Sequence, residues 1–421
     1  MSQISPFEEN LPKNQANYSP LTPLSFLTRT AEVFPERTAV IHGEIKRSWR
    51  ETLKRCIRLA SALKKKGVVQ GTTVSVMAPN VPELLEAHFG VLMTGGVLNA
   101  LNIRLEAETL AYILEHGESQ VLITDREFSP VIQKVLQQLE DPPLVIDIDD
   151  PMAEGGELLG EMDYEAFLKT GDEDFEWNLP EDEWQAVSLN YTSGTTGKPK
   201  GVVYHSRGAH ILAIDNILAW GMPRHPVYLW TLPMFHCNGW CFPWTITLLA
   251  GTHVCLRKVN AANIYDSIVK HGVTHLCGAP IVMGMIANAE DQDQRVLSDQ
   301  VQIMTAAAPP PPPVIARMEE MGFQVTHVYG LTETYGPSVV SAWQEEWNEL
   351  SPTDQALKKG RQGVNYPGLE GLMVADSETL KEVPSDGQTL GEVFMKGNLV
   401  MKGYFKNPEA TQEAFRGGWF H

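Results

Sequence analysis

The chain has 421 residues, 43% hydrophobic and 20% charged, about three domain-sized units of ordinary globular composition, which excludes disordered, collagen-like and mini-scaffold classes. Its 33 Lys and Arg against 52 Asp and Glu give a formal net charge of -19; this repels polyanions and excludes broad nucleic-acid binding, but a small phosphorylated ligand held by local amides and lysines remains open. Five scattered cysteines, Cys56, Cys237, Cys241, Cys255 and Cys277, read as reduced core thiols, and with no secretory or transit pattern in the first 30 residues the expected compartment is cytoplasmic.

Taken in chain order, the apolar residues Leu53, Cys56, Ile57, Ala60 and Leu63 recur at helical spacing and predict a helix over 52–66, stopped by Gly67. A strand over 72–78, a helix opened by Pro82 and running to Met93, a strand over 120–125, a helix over 128–139 and a strand over 144–148 follow. This alternation predicts a parallel sheet covered by helices. Residues 149–183 are acidic and weakly periodic and read as a surface excursion. Strands are then expected at 185–191, 228–232, 253–256, 274–277, 303–306 and 324–329. Residues 226–256 lack Asp, Glu, Lys and Arg, but Pro233, His236, Asn238, Gly239 and Pro243 interrupt the run, so it reads as buried core and no membrane span is expected. After about Arg361, short apolar runs at 372–375 and 392–396 punctuated by Gly and Asp suggest a smaller β-rich subdomain.

The densest signal is Tyr191-Thr192-Ser193-Gly194-Thr195-Thr196-Gly197-Lys198-Pro199-Lys200-Gly201, directly after a predicted strand. Its glycines let several backbone amides converge on one point, while its hydroxyls and two lysines add donors and positive charge, a combination suited to a polyphosphate. A Walker A loop is excluded, because Thr192 stands where its first glycine belongs and Pro199 where its magnesium-binding hydroxyl belongs. No Gly-x-Gly and no Gly-x-Ser-x-Gly occurs, which removes the dinucleotide fingerprint and the serine-hydrolase elbow. A zinc site built from His236, Cys237, Cys241, His253 and Cys255 is disfavoured, since no Cys-x-x-Cys pair is present.

Together with this loop, three further segments carry a resemblance: Leu232-Pro233-Met234-Phe235-His236-Cys237-Asn238-Gly239-Trp240, Tyr329-Gly330-Leu331-Thr332-Glu333-Thr334, and Gly391-Glu392-Val393 through Gly403-Tyr404 to Gly417-Gly418-Trp419-Phe420-His421. In this order they resemble the core motifs of the adenylate-forming superfamily, which holds acyl-CoA synthetases, luciferases and peptide-synthetase adenylation domains. The similarity covers essentially the whole chain and looks closest to bacterial medium-chain and methylmercaptopropionate CoA ligases. The resemblance implies an α/β fold of two parallel-sheet subdomains, about 50–190 and 191–345, with a small β-rich, distorted-barrel subdomain at 346–421. It implies an ATP-dependent acid–thiol ligase that adenylates a short- or medium-chain or methylthio acid and passes the acyl group to CoA. ATP, magnesium and CoA are the expected cofactors and the carboxylic acid the expected partner, with a homodimer left open. Two other readings remain: a non-catalytic nucleotide-binding protein, or an adenylating enzyme with another acceptor.

Residue by residue, the resemblance implies phosphate contacts from Thr192, Ser193, Gly194, Thr195, Thr196, Gly197 and Lys198, with catalytic roles for Lys200, His236, Thr332 and Glu333. Glu333 is the expected magnesium ligand, a hard carboxylate oxygen; taken alone, it reads equally well as a helix N-terminal acid. Ala307, Ala308, Pro309, Tyr329 and Gly330 are implied at the adenine, although Tyr329 taken alone reads as core. His236, Trp240, Gly278, Met283, Ala306, Tyr335 and Gly336 are implied around the acyl group; an isolated His236 reads first as a hydrogen-bonded core histidine. Related enzymes often place a glycine within the run occupied here by Ala306, Ala307 and Ala308. Family members also continue past the position of His421 with a Thr-Gly-Asp, a hinge and a lysine-bearing domain. The expectation is therefore a large N-terminal domain, impaired in catalysis.

Overall fold

The computed structural model describes residues 5–192 and 197–421. Ser48 opens the helix Trp49–Lys65 with a capping box, its hydroxyl accepting from the Glu51 amide while the Glu51 carboxylate accepts from the Ser48 amide; Lys64 and Lys65 lie at the opposite pole of the helix dipole. The helix Pro82–Met93 begins at its proline and is buried along its whole length; its mostly apolar faces meet the core, and buried Glu86 is paired with Arg47 and Arg55 (2.8 and 2.6 Å).

The strands in chain order are β1 (Thr38–His42), β2 (Ile45–Ser48), β3 (Thr73–Met77), β4 (Val97–Ala100), β5 (Ser119–Asp125), β6 (Leu144–Ile148), β7 (Met162–Asp163), β8 (Ala186–Tyr191), β9 (Gly201–His205) and β10 (Val227–Trp230). They continue with β11 (Thr252–Cys255), β12 (His275–Cys277), β13 (Val301–Thr305), β14 (Phe323–Leu331), β15 (Gly336–Val340), β16 (Val364–Asn365), β17 (Gly371–Ala375), β18 (Glu392–Lys396) and β19 (Gly403–Tyr404). An eight-stranded sheet has the order β19-β9-β8-β4-β3-β5-β6-β7, and a nine-stranded sheet the order β16-β15-β14-β13-β12-β10-β11-β1-β2. Both are parallel in their interiors; the nine-stranded sheet turns antiparallel at both edges and the eight-stranded one only at its β19-β9-β8 end, its β6–β7 edge being parallel.

The expected α/β class with two largely parallel sheets is what the molecule has. The distorted barrel is not: among the described residues, β17 and β18 form a two-stranded antiparallel sheet with no closed barrel. The polar run 376–391 between them, rich in Gly, Asp and Ser, is too short of apolar side chains to supply closing strands. The sheets also disregard chain order. β1 and β2, before residue 50, join the nine-stranded sheet, while β9 and β19 join the eight-stranded one, so the expected boundaries at 50, 190 and 346 cut across both.

Two polar ties lock the sheets together. Asn80, after β3, donates to the carbonyls of Trp230 and Leu232 (2.8 and 3.1 Å) and accepts from the Met234 amide (2.8 Å). Arg257, buried after β11, pairs with Asp125 and Asp150 (both 2.7 Å) and with Glu127, and Asp150 also meets His42 Nε2 (2.9 Å). Removing one member of such a desolvated cluster strands the others, at about 3–5 kcal/mol.

Candidate active site

The glycine and hydroxyl loop joins β8 to β9, an antiparallel pair. Its two ends meet where the Thr192 amide donates to the Lys200 carbonyl (3.0 Å). Ser193, Gly194, Thr195 and Thr196 lie outside the described residues. Gly197, Lys198 and Lys200 are exposed, and each ammonium sits over an aromatic face, Lys198 on Tyr112 and Lys200 on Tyr404 (both 4.8 Å). Neither lysine forms an ion pair among the described residues.

The second motif is the bend between β14 and β15. Gly330 faces Pro337 in the ladder, and a Cβ on Gly330 would lie 1.8 Å from the Gly336 carbonyl oxygen, so no side chain fits. Tyr335 and Gly336 turn the chain with φ of +65° and +113°. The bend presents Thr332 and Glu333. Tyr204 donates to the Thr332 carbonyl (2.6 Å), and the Met401 amide donates to the Glu333 carbonyl (2.8 Å). The Tyr404 hydroxyl donates to Glu333 Oε1 (2.8 Å). Burial and the adjacent carboxylate hold the phenols of Tyr404 and half-buried Tyr329 above their ordinary range.

Tyr404 was not foreseen in this role. It carries Lys200 on its ring and Glu333 on its hydroxyl, joining the end of the glycine and hydroxyl loop to the acid of the second motif. The only sequence hint was its place in the Gly403-Tyr404 motif.

The third motif contains the most unusual backbone in the molecule. Cys237, Asn238, Gly239, Trp240 and Cys241 all have φ between +48° and +63°, a complete left-handed turn with one glycine. Each non-glycine residue there costs roughly 1–2 kcal/mol. Buried hydrogen bonds hold the turn: Ser188 and Asn190 donate to Asn238 Oδ1 (2.7 and 2.8 Å), and Asn216 donates to the Trp240 carbonyl (2.9 Å). Gly239 is required because a Cβ would strike the Trp230 ring at 2.6 Å. The turn starts at exposed His236 and delivers the Trp240 ring onto Gly336, where a Cβ would lie 2.8 Å from Trp240 Cδ1. His236 and Thr332 line one small cleft of about 40 Å³ with Asn190 and Tyr191.

The structure distributes the remaining residues unevenly. Ala306 is buried at the end of β13, whereas Ala307, Ala308 and Pro309 are exposed in the following loop. Ala307 has φ of +84°, the left-handed geometry that favours glycine. Ala306, Trp240 and Tyr335 share the main apolar core, but Met283 packs into a separate cluster with Val282 and Ile286. Gly278 is buried at the end of β12, its amide bonded to the Met304 carbonyl (3.0 Å). Tyr335 is fully buried, with its ring stacked on Tyr204 at 3.9 Å and its hydroxyl accepting from the His205 amide at 2.8 Å; its side chain ties the second motif to β9.

The donor set fits magnesium. Glu333 Oε2 has no hydrogen-bond partner among the described residues, and one or two carboxylates are the protein's usual share of a magnesium shell. No group of three or more His, Cys, Asp or Glu stands ready for a metal among the described residues.

Lys200, at the end of the loop, and a single hard carboxylate, Glu333, meet on Tyr404 at one end of paired parallel sheets, an arrangement that suits a nucleotide-handling enzyme of the adenylate-forming class. The chain matches the family model of the AMP-binding enzymes over residues 27–405 and belongs to that family. It is 52% identical to the acetate/butyrate–CoA ligase AAE7 of Arabidopsis thaliana, named peroxisomal, and 49% identical to the acetate–CoA ligase CCL3 of Humulus lupulus; each match covers 98% of this chain and 75% of the relative. It is 43% identical to the butyrate–CoA ligase AAE11 of Arabidopsis thaliana, also named peroxisomal, over 98% of this chain and 74% of the relative. Among solved structures, the N-terminal domain of FACL13 from Mycobacterium tuberculosis superposes with a TM-score of 0.79 at 22% identity, covering 95% of both chains; this shows the fold. The cytoplasmic expectation is corrected by these relatives, two of which are named peroxisomal. It rested on reduced thiols and a missing leader pattern, and reduced thiols argue only against an oxidising compartment.

Proposed function

We propose that the chain activates a short- or medium-chain carboxylic acid with ATP and passes the acyl group to the thiol of CoA. The acid oxygen attacks the α-phosphorus, the bond to pyrophosphate breaks and an acyl-adenylate forms; the CoA sulfur then attacks the acyl carbon and AMP leaves. Negative charge gathers in both transition states, so positioned donors matter more than a protein nucleophile. Lys198, Lys200 and the amide of Gly197 take the phosphate oxygens. Thr332 donates to the α-phosphate, and Tyr329 and Gly330 flank the base. Glu333 would hold magnesium, which when bound neutralises charge on the phosphates. His236 orients the acid at the mouth of the left-handed turn, and Trp240 walls its tail.

The observation that carries this reading is the convergence of Lys200 and Glu333 on Tyr404, which brings the phosphate loop and the second motif to one place. The acid class is supported by the names of the relatives: acetate, butyrate and, at 45% identity, 2-methylpropanoate in Humulus lupulus. Acid-dependent ATP–pyrophosphate exchange tests the reading. Exchange with acetate or butyrate that Glu333→Gln and Lys200→Ala each reduce at least tenfold is the expected result. No exchange with any acid from acetate to octanoate, in protein that still binds ATP by calorimetry, would leave a nucleotide-binding protein instead.

A further inference from the structure

A cavity of about 260 Å³ lies where the β1–β2 edge of the nine-stranded sheet meets the β6–β7 edge of the eight-stranded one. It shares no lining residue with the small cleft of His236 and Thr332. The first turn of the helix Pro82–Met93 closes it from within through Glu83. Drug-sized ligands occupy roughly 300–1,000 Å³, so the guest that this volume suits is small.

Five carboxylates line the space against one guanidinium, that of Arg47, and three of them are committed. Asp150 is held by Arg257 and His42 (2.7 and 2.9 Å), Asp149 by Arg126 (3.1 Å) and Glu165 by Arg55 (2.6 Å). Glu83 is not. The residue is 9% exposed and forms no hydrogen bond through its carboxylate among the described residues. Arg47 stands 4.0 Å from it, beyond hydrogen-bond reach, and bonds to Glu86 at 2.8 Å instead. A buried carboxylate left in this state is costly. Its side chain keeps 11% of its surface accessible, so a guest in the cavity can touch it. Burial and the neighbouring Glu86 push its carboxyl up to about 7, against the pull of Arg47 and Arg55; the pocket is short of one positive charge. Asp163 commits only Oδ1, which accepts from the Ala166 amide (2.8 Å).

The missing charge is not that of a metal ion. Among the described residues no group of three His, Cys, Asp or Glu converges here, whereas magnesium and calcium take six or more oxygen ligands. The rest of the lining includes Ile45, Ile148 and Pro151, an apolar wall that suits a short carbon chain. We propose that this cavity binds a small primary alkylammonium ion, its N–H groups donating to the carboxylates of Glu83 and Asp163 and its chain lying on Ile45, Ile148 and Pro151. Charge-assisted bonds of this kind are the strong ones. Because its partners come from both sheets, the bound cation fastens one sheet edge to the other. The site rests on nothing in the ligase reading.

The test is titration calorimetry on the full chain, in cacodylate buffer free of amines, with n-butylammonium chloride. Two controls divide its features: n-butanol keeps a chain without the charge, and tetramethylammonium keeps the charge without N–H donors. The expected result is one site with a Kd of about 1 mM or below, within reach of a ligand of five heavy atoms, and at least tenfold weaker binding of both controls. Glu83→Gln should weaken n-butylammonium binding at least tenfold. Ile45→Trp, on the edge strand β2, fills the cavity without altering a carboxylate and should do the same; it decides the matter if Glu83→Gln fails to fold. No saturable binding of n-butylammonium, equal affinity for either control, or undiminished binding in either folded variant overturns the proposal.

Discussion

Replacing Tyr404 with Phe removes one oxygen atom and nothing else from the centre of the site. The ring stays under Lys200, 4.8 Å from its ammonium, so the cation–π contact survives. The 2.8 Å bond to Glu333 Oε1 does not. A hydrogen bond to a charged acceptor contributes about 1.5–3 kcal/mol, and loss of a group that orients a metal-ligating carboxylate typically costs about 10- to 100-fold in metal affinity, or about 1.4–2.7 kcal/mol. The two estimates overlap, so Tyr404→Phe should weaken magnesium–ATP binding by roughly 10- to 100-fold in titration calorimetry. ATP binding in the presence of EDTA should change less than about threefold, because the lysines and the loop are untouched. The reasoning is refuted if Glu333→Gln weakens magnesium–ATP binding more than tenfold while Tyr404→Phe leaves it as in wild type.

Trp240→Ala should raise kcat/KM for hexanoate relative to acetate, by about 10- to 200-fold per methylene accommodated, at a stability cost of about 3–5 kcal/mol for truncating a buried ring; an unchanged ratio removes Trp240 from the acyl wall. Gly330→Ala forces a Cβ to 1.8 Å from a backbone oxygen that cannot yield, and should lower stability by roughly 3 kcal/mol or more in denaturant melts; a wild-type midpoint would refute the β14–β15 geometry. Buried Asp215 accepts from the Gly368 amide (2.7 Å) and is pushed up to about 6 by burial, with Glu370 adding to the shift. With its native value above the ordinary 3.8, the folded state holds the proton more tightly, so this group's contribution to stability falls as pH rises from about 4 to 6. Asp215→Asn should flatten that part of the stability–pH curve by about 1–3 kcal/mol; parallel curves for the two proteins would exclude the effect.

What the sequence disclosed depended on how local the controlling contacts were. The helix Pro82–Met93 and the strand Leu144–Ile148 coincide with their expected bounds, because a proline start and a dense apolar run are signals carried within the segment. The β1–β2 hairpin went unseen. It is short, Lys46 and Arg47 blur its alternation, and the partner that fixes β1 is β11, more than 200 residues away. The glycine and hydroxyl loop and the second motif were legible as motifs, but their joining through Tyr404 was not, since that contact spans 71 positions. Gly239 gave one conformational clue to a turn in which four other residues share its geometry. Conversely, the missing family glycine in the Ala306–Ala308 run found a structural counterpart in the φ of Ala307. The distorted barrel was inferred by analogy from sparse strand signals, and no apolar periodicity was there to support it.

The left-handed turn has a consequence for how such a pocket can diversify. Its backbone is fixed from outside, by Ser188 and Asn190 on one strand and Asn216 on a helix, and its handedness leaves no neighbouring register into which it can slide. Adding or deleting a residue between Met234 and Phe242 would swing positions 236 and 240 apart. On the proposed ligase reading, substrate range would therefore be open to change by exchanging side chains at those two positions, and closed to change by altering loop length.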